Sequence, residues 1–85
     1  MSRVEPEQLR DPQRVFIARS LRIALRAEES LTTSGVDYTV ATESIGRSLL
    51  FGTDRIGAVF YVNAGQASYC REQLTAAGLG SGIAE

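Results

Sequence analysis

The sequence predicts a small α+β domain with the element order strand, helix, strand, strand, helix. Two short runs, RVFIAR at 14–19 and GAVFYV at 57–62, are apolar on both faces, which is typical of strands covered on both sides. The run VDYTVATE at 36–43 alternates, which is typical of a half-exposed strand. Segments 20–35 and 63–78 show the apolar spacing of amphipathic helices, and each ends at a glycine.

Length and composition indicate one soluble domain. A chain of 85 residues buries only about 60–65% of the surface that its unfolded form exposes, so small domains often gain stability by forming oligomers. Net charge is −1, which disfavours nucleic acid as a partner, and no run is long and apolar enough for a membrane span. The single cysteine, Cys70, excludes an internal disulfide and fits a cytoplasmic location.

The domain itself is predicted to cover residues 14–79. Residues 1–13 are polar, contain both prolines, and are expected to form an arm that is partly flexible or lies on another surface. The Gly-rich tail at 80–85 is expected to be mobile, or else to add a short edge strand through SGIAE.

The first helix is predicted to begin after Ser20 as N-cap and to end at Gly35. Its expected buried face holds Leu21, Ala24, Leu25, Ala27 and Leu31. Glu28 falls inside this apolar arc. Two interpretations stay open: a carboxylate that reaches water at the edge of the face, and one held at a subunit contact or in a pocket.

The second helix is predicted to start at Asn63 as N-cap, with Gln66 completing a capping box, and to end at Gly78. Its apolar face is expected to contain Ala67, Cys70, Leu74 and Ala77.

This order is most of a ferredoxin-like fold, βαββα(β), with a three- or four-stranded antiparallel sheet and two helices on one face. The other face of the sheet is then uncovered, although the first and third strands carry apolar residues there. We therefore expect a homo-oligomer, with a dimer favoured, in which a second copy packs sheet to sheet or edge to edge.

The runs ALRAEESLTTSGVDYTV and AVFYVNAGQASYCREQL, at 24–40 and 58–74, resemble segments of small bacterial PII-like (GlnB-like) signal-transducing proteins. The resemblance covers about residues 14–79. It implies a ferredoxin-like oligomer with effector binding in clefts between subunits. It also implies that the connection between the second and third strands is the variable, partner-touching element.

That connection, IGRSLLFGTDRIG at 45–57, has three open interpretations. It could lengthen the two strands into a hairpin with its turn at GTDR. It could be a docking loop whose partner-binding residues are Leu49, Leu50 and Phe51. It could bind a small anion, with Arg47 and Arg55 as the ligand-binding residues.

The residue types argue against catalysis. The chain has no His and no Lys, so the usual base near neutral pH and the Schiff-base nucleophile are both missing. Cys70 falls on an apolar helix face, where a packing role is expected. We expect no enzyme activity, no metal and no cofactor. Two functions remain: a small oligomeric regulatory or sensory module that binds a partner protein and a small anionic ligand at a subunit cleft, and a structural interaction subunit with no ligand.

Overall fold

The structure is a computed structural model that describes residues 3–47 and 54–84, with the backbone alone at 44–47 and 54–55. Its strands are β1 (Pro12–Ala18), β2 (Tyr38–Arg47) and β3 (Asp54–Asn63). Its helices are α1 (Leu21–Thr33) and α2 (Ala67–Ala76). Short 3-10 turns occupy Pro6–Gln8, Ala64–Gln66 and Gly80–Gly82. The predicted α+β class and element order are confirmed.

The three strands form one antiparallel sheet in the order β1-β3-β2. Phe60 at the centre of β3 lies opposite Phe16 on β1 and Val40 on β2. Each outer strand contains a register shift, after Arg14 in β1 and after Ser44 in β2. β3 is therefore the central strand, and β1 and β2 are the two edges.

β2 and β3 are longer than the sequence predicts, because the ladder between them continues through residues 44–47 and 54–56. β1 ends at Ala18, whose partner on β3 is Ala58. Past this point the sheet continues as a two-stranded ribbon made of residues 43–47 and 54–57. We call it the ribbon.

The core lies between the helices and one face of the sheet. Phe16 and Phe60 meet edge to face, with ring centroids 5.9 Å apart. Both helices contribute fully buried side chains to the same cluster. Its α1 and α2 members are Ala24, Ala27, Leu31, Ala67, Cys70 and Leu74. One continuous apolar core therefore joins both helices to the sheet.

The predicted buried face of α1 is wrong at two positions. Leu21 is 76% exposed and Leu25 is 55% exposed, whereas Ala24, Ala27 and Leu31 are buried as expected. The physical reason is that β2 is an edge strand, so no element among the described residues lies beyond it to cover that flank of the helix. Ala77, predicted on the apolar face of α2, is also exposed, because the helix ends at Ala76.

The predicted ends of the helices are confirmed at three of four positions. The Ser20 hydroxyl accepts a hydrogen bond from the N–H of Ile23 at 3.3 Å. Gly35 and Gly78 take positive φ values of 75° and 82°, which a side chain would disfavour. The prediction for Asn63 is wrong: its side chain accepts from the N–H of Arg10, and a 3-10 turn comes before α2.

The segments at both ends of the chain lie against the two edges of the sheet. Near the N-terminus, the N–H of Val4 donates to the carbonyl of Tyr38 at 2.7 Å, at the start of β2. Near the C-terminus, Ile83 forms an isolated antiparallel bridge with Phe16, and the N–H of Ala84 donates to the carbonyl of Val15 at 2.9 Å. The expected fourth strand is thus a single bridge on β1.

Candidate functional site

The sequence-predicted site residues lie at the end of the ribbon. Arg47 pairs with Asp54 and Arg55 pairs with Gly46, so the backbones of the two arginines are neighbours across the ladder. Leu49, Leu50 and Phe51 lie outside the described residues. The described parts of 45–57 thus belong to an extended hairpin. The arginines lie at the same end of it, but Arg47 is opposite Asp54 and Arg55 is opposite Gly46, so the register places them on opposite faces of the ribbon.

The ribbon projects past the rest of the sheet and carries an exposed apolar side chain. Successive residues of a strand point to opposite faces, so Ile56 lies on the same face as Ala58 and Phe60, the face that the helices cover farther along β3. Neither helix reaches Ile56, and 61% of the residue is exposed. A two-stranded ribbon is only marginally stable alone. Its geometry therefore suits contact with another surface.

The opposite face of the sheet carries a polar cluster at the base of the ribbon. The hydroxyl of Tyr61 donates a short hydrogen bond to the carboxylate of Glu43. The guanidinium of Arg14 lies 3.8 Å from the same carboxylate. This hydrogen bond, and after it partial burial, raises the pKa of Tyr61 above its usual 10.0. The protonated phenol is thus favoured to a higher pH than in an exposed tyrosine.

This cluster covers the apolar centre of that face. Glu43 pairs with Gly57, four residues before Tyr61 on β3, so the two side chains lean toward each other along the sheet. The pair Ala41–Val59 lies between them, and Val59 is only 1% exposed. A single chain therefore shields the middle of this face with its own side chains.

A second polar cluster joins α1 to the start of β2. The hydroxyl of Tyr38 donates to Glu28 at 3.1 Å and lies 3.3 Å from the hydroxyl of Thr32. Arg3 approaches Glu28 at 3.8 Å. Burial is the main cause that raises the pKa of Tyr38 above 10.0. The Glu28 side chain is 27% exposed and its described partners belong to its own chain, which fits a carboxylate at the edge of the apolar face better than one at a subunit contact.

An open groove of about 400 Å³ runs between α1 and α2. Its one arginine, Arg26, donates to the carbonyl of Ala77 at 3.0 Å and so satisfies the C-terminal end of α2. Arg71, on α2, has a similar role: it donates to the carbonyls of Ala84 and Arg14, at 2.9 and 3.0 Å. Each arginine thus links its own helix to backbone carbonyls of other segments of the chain.

Cys70 is fully buried in the core, and burial raises the pKa of its thiol to about 11. At neutral pH the group is a protonated, packed thiol. Over residues 3–47 and 54–84, no group of three or more His, Cys, Asp or Glu side chains is arranged to hold a metal ion. Within the same ranges, no helix has the length and apolar character needed to cross a membrane.

Sequence reasoning missed the cluster of Tyr61, Glu43 and Arg14. The alternation of VDYTVATE does place Glu43 on the face away from the helices, and Tyr61 alternates with Phe60 in the same way. The partners depend on the register between strands, which alternation alone does not determine.

No family model, no curated protein and no solved structure matches this chain.

Proposed function

We propose that the protein is a small oligomeric regulatory module that docks a partner protein through the end of its ribbon. The observation that carries the proposal is the ladder of β2 and β3, which continues past the end of β1 and leads to the Leu49–Phe51 segment. An apolar run delivered by a projecting ribbon is typical of a docking element. The partner is a protein with an apolar groove that accepts this run.

The fold supports the same proposal. The strand order β1-β3-β2, with the end of the chain beside β1, is the order expected of a ferredoxin-like fold whose fourth strand is reduced to one bridge. This arrangement is compatible with the PII-like resemblance of the sequence, in which the same connection touches partners. A cytoplasmic location belongs to the proposal and rests on the single, unpaired Cys70.

Regulation by a small anion is assigned to Arg47 and Arg55. Four other arginines, Arg3, Arg14, Arg26 and Arg71, already contact carboxylates or backbone carbonyls. The two at the end of the ribbon are adjacent in the ladder, on opposite faces, and a guanidinium on either face suits a carboxylate or phosphate ligand. An anion bound there would lie next to the docking segment in the chain and would change how readily that segment binds the partner.

The second candidate is a structural interaction subunit with no ligand. The observation that favours it is the role of Arg26. Its guanidinium, which lines the groove between α1 and α2, already donates to the carbonyl of Ala77 at the C-terminal end of α2. In this version the ribbon docks in the same way, and Arg47 and Arg55 contribute only to the contact with the partner.

Affinity capture with the full chain tests the docking proposal. Phe51→Ser is expected to lose a partner that the wild type retains. The matched control is Tyr69→Ser, which changes a residue on α2 that is 44% exposed and distant in sequence from the ribbon. Capture by the wild type and Tyr69→Ser but not by Phe51→Ser supports docking through the ribbon. Equal capture by all three contradicts it.

Thermal denaturation with inorganic phosphate and with nucleotides separates the two candidates. A ligand at 100 times its dissociation constant adds about 2.7 kcal/mol to the free energy of unfolding, which is a clear rise in melting temperature. A rise that is lost in Arg47→Gln and in Arg55→Gln supports the regulatory module. An unchanged melting temperature with every anion, together with Phe51-dependent capture, supports the subunit without a ligand.

A further inference from the structure

One stripe along α1 is half covered and half open. Leu21, Leu25, Glu28 and Thr32 follow one another at spacings of four, three and four, so they share one side of the helix. The last two contact Tyr38 of β2. The stripe therefore faces the β2 side of the molecule, and its first two members are the exposed leucines. We call Leu21 and Leu25 the leucine pair.

The leucine pair and Ile56 lie on the same side of the molecule. β1 is parallel to β2, because both are antiparallel to β3, and the two-residue turn after Ala18 sends α1 back along them. Leu21 begins about 10 Å before Glu28 along the helix, so the leucines lie above the later part of β2, toward the ribbon. Three of the four large exposed apolar residues in the described chain thus belong to this side.

The outer edge of β2 beneath this surface is open. Within the described part of the chain, the only backbone hydrogen bond that reaches β2 from outside the ladder is the one from Val4 to Tyr38. From Val40 onward, the outward N–H and C=O groups have no such partner. The edge at 40–44 contains no Pro and no Lys, its one charged residue, Glu43, is held by Tyr61, and the register shift of β2 lies at its far end.

The charged residues beside the leucine pair are arranged so that they would complement those of a second copy. Arg22 and Glu29 lie seven residues apart on one side of α1, about 10 Å, at nearly equal distances on either side of Leu25. Neither takes part in an ion pair among the described residues. If a second α1 lies antiparallel to the first across a two-fold axis, Arg22 of each copy faces Glu29 of the other. The leucines then meet leucines.

From these observations we propose that a second copy of the chain pairs with the open edge of β2 and buries the leucine pair and Ile56 between the two copies. The occupant is a second copy because this surface is self-complementary. Across a two-fold axis its opposite charges face each other, its apolar side chains meet, and the edge strand can pair antiparallel with the same strand of the other copy. The proposal deepens the oligomer of the proposed function and rests on that part of it. Val4 at Tyr38 limits the shared edge to residues from Val40 onward.

Sedimentation equilibrium of the full chain tests the proposal. The wild type is expected at twice 9.2 kDa. Leu25→Glu is expected to weaken the dimer about 100-fold or more, because it places an unpaired carboxylate in the interface. The matched control, Tyr69→Glu, adds the same charge on α2 and is expected to change the dissociation constant less than about twofold. Both substituted residues are exposed, and circular dichroism with melting temperature confirms that each variant folds.

A charge reversal tests the geometry. Arg22→Glu alone is expected to weaken the dimer, and the added change Glu29→Arg is expected to restore it. A wild-type mass of 9.2 kDa up to about 1 mM, the concentration that corresponds to a binding free energy of about −4 kcal/mol, overturns the proposal. The proposal is also overturned if Leu25→Glu and Tyr69→Glu weaken the dimer equally, or if neither variant weakens it. None of these variants touches residues 49–51, so failure here is separate from failure of partner capture.

Discussion

Gly82 shows how strongly one residue is constrained by its neighbours. A Cβ at this position would lie 2.5 Å from the ring of Phe16 and 3.0 Å from the carbonyl oxygen of Ile17. Phe16 is fully buried and packed against Phe60, so its ring has little room to move. The absence of a side chain at Gly82 is what lets the last residues of the chain approach β1.

Gly82→Ala should therefore lower the free energy of unfolding by about 1–3 kcal/mol, the usual range for overpacking. Gly65→Ala is the matched control, because a Cβ there meets nothing within 4 Å, and its effect should stay within about 0.5 kcal/mol. Urea denaturation followed by circular dichroism measures both. Equal stability of the two variants would show that the tail does not pack on Phe16.

Cys70 should resist thiol reagents in the folded protein. Burial raises its pKa to about 11, so the folded state holds the thiol proton more tightly than the unfolded state does. The stability that this proton contributes is complete below the unfolded pKa, near 9, and is lost as the pH rises toward 11.

Two measurements check this expectation. At pH 8, labelling with a thiol reagent should follow global unfolding and speed up with denaturant. Between pH 9 and 11, wild-type stability should fall more steeply than that of Cys70→Ala, because the difference isolates the thiol from the two tyrosines with raised pKa values. Rapid labelling in native buffer, or identical pH slopes, would contradict a buried thiol.

At the scale of elements, the tail of the chain depends on α2. Arg71 donates to the carbonyls of Ala84 and Arg14, so one side chain links α2 to the last residues and to β1. Arg71→Met keeps much of the apolar stem but leaves two carbonyls without this donor. The free energy of unfolding should fall by about 1–3 kcal/mol.

Hydrogen exchange locates this effect. The amide of Ala84, which donates to Val15, should exchange much faster in Arg71→Met than in the wild type. Arg19→Met is the control, since Arg19 is exposed and makes no hydrogen bond or ion pair among the described residues. Unchanged exchange at Ala84 in Arg71→Met would mean that the tail holds its place without the guanidinium.

The elements themselves were largely predictable, because periodicity and turn residues are local signals. Ser20, Gly35 and Gly78 sit at helix ends for reasons that their own side chains, or lack of them, explain. The exposure of Leu21 and Leu25 was not predictable, since a helical wheel gives the apolar side of a helix but not which part of that side lies over the sheet.

The candidate site was predicted only in part. The pattern of IGRSLLFGTDRIG at 45–57 suggested a hairpin and two arginines at its end, and the described backbone fits that pattern. The partners of Tyr61 and Glu43 depend on strand register across the β2–β3 connection, and no local signal specifies it. Asn63 was misassigned because its amide is used by the distant backbone of Arg10.

At the scale of the whole molecule, a protein of 85 residues with an open sheet edge has a limited reserve of stability. If two copies pair along β2, folding and association are linked, and the melting temperature depends on protein concentration. The wild type should melt at a higher temperature as its concentration rises from about 1 to 100 times the dissociation constant of the dimer.

Leu25→Glu should remove this dependence, whereas Tyr69→Glu should keep it, because only the first changes the surface on the β2 side of α1. Differential scanning calorimetry at several concentrations measures the trend. A melting temperature that is constant over this range in the wild type would contradict linkage between folding and dimer formation.

The single bridge between Ile83 and Phe16 affects how the protein behaves after proteolysis. A protease that trims the last few residues would spare both helices and the rest of the ladder, yet it would uncover β1 as a template for any stray extended chain. Clipped molecules should then cloud the solution and sediment as aggregates, while intact ones stay clear.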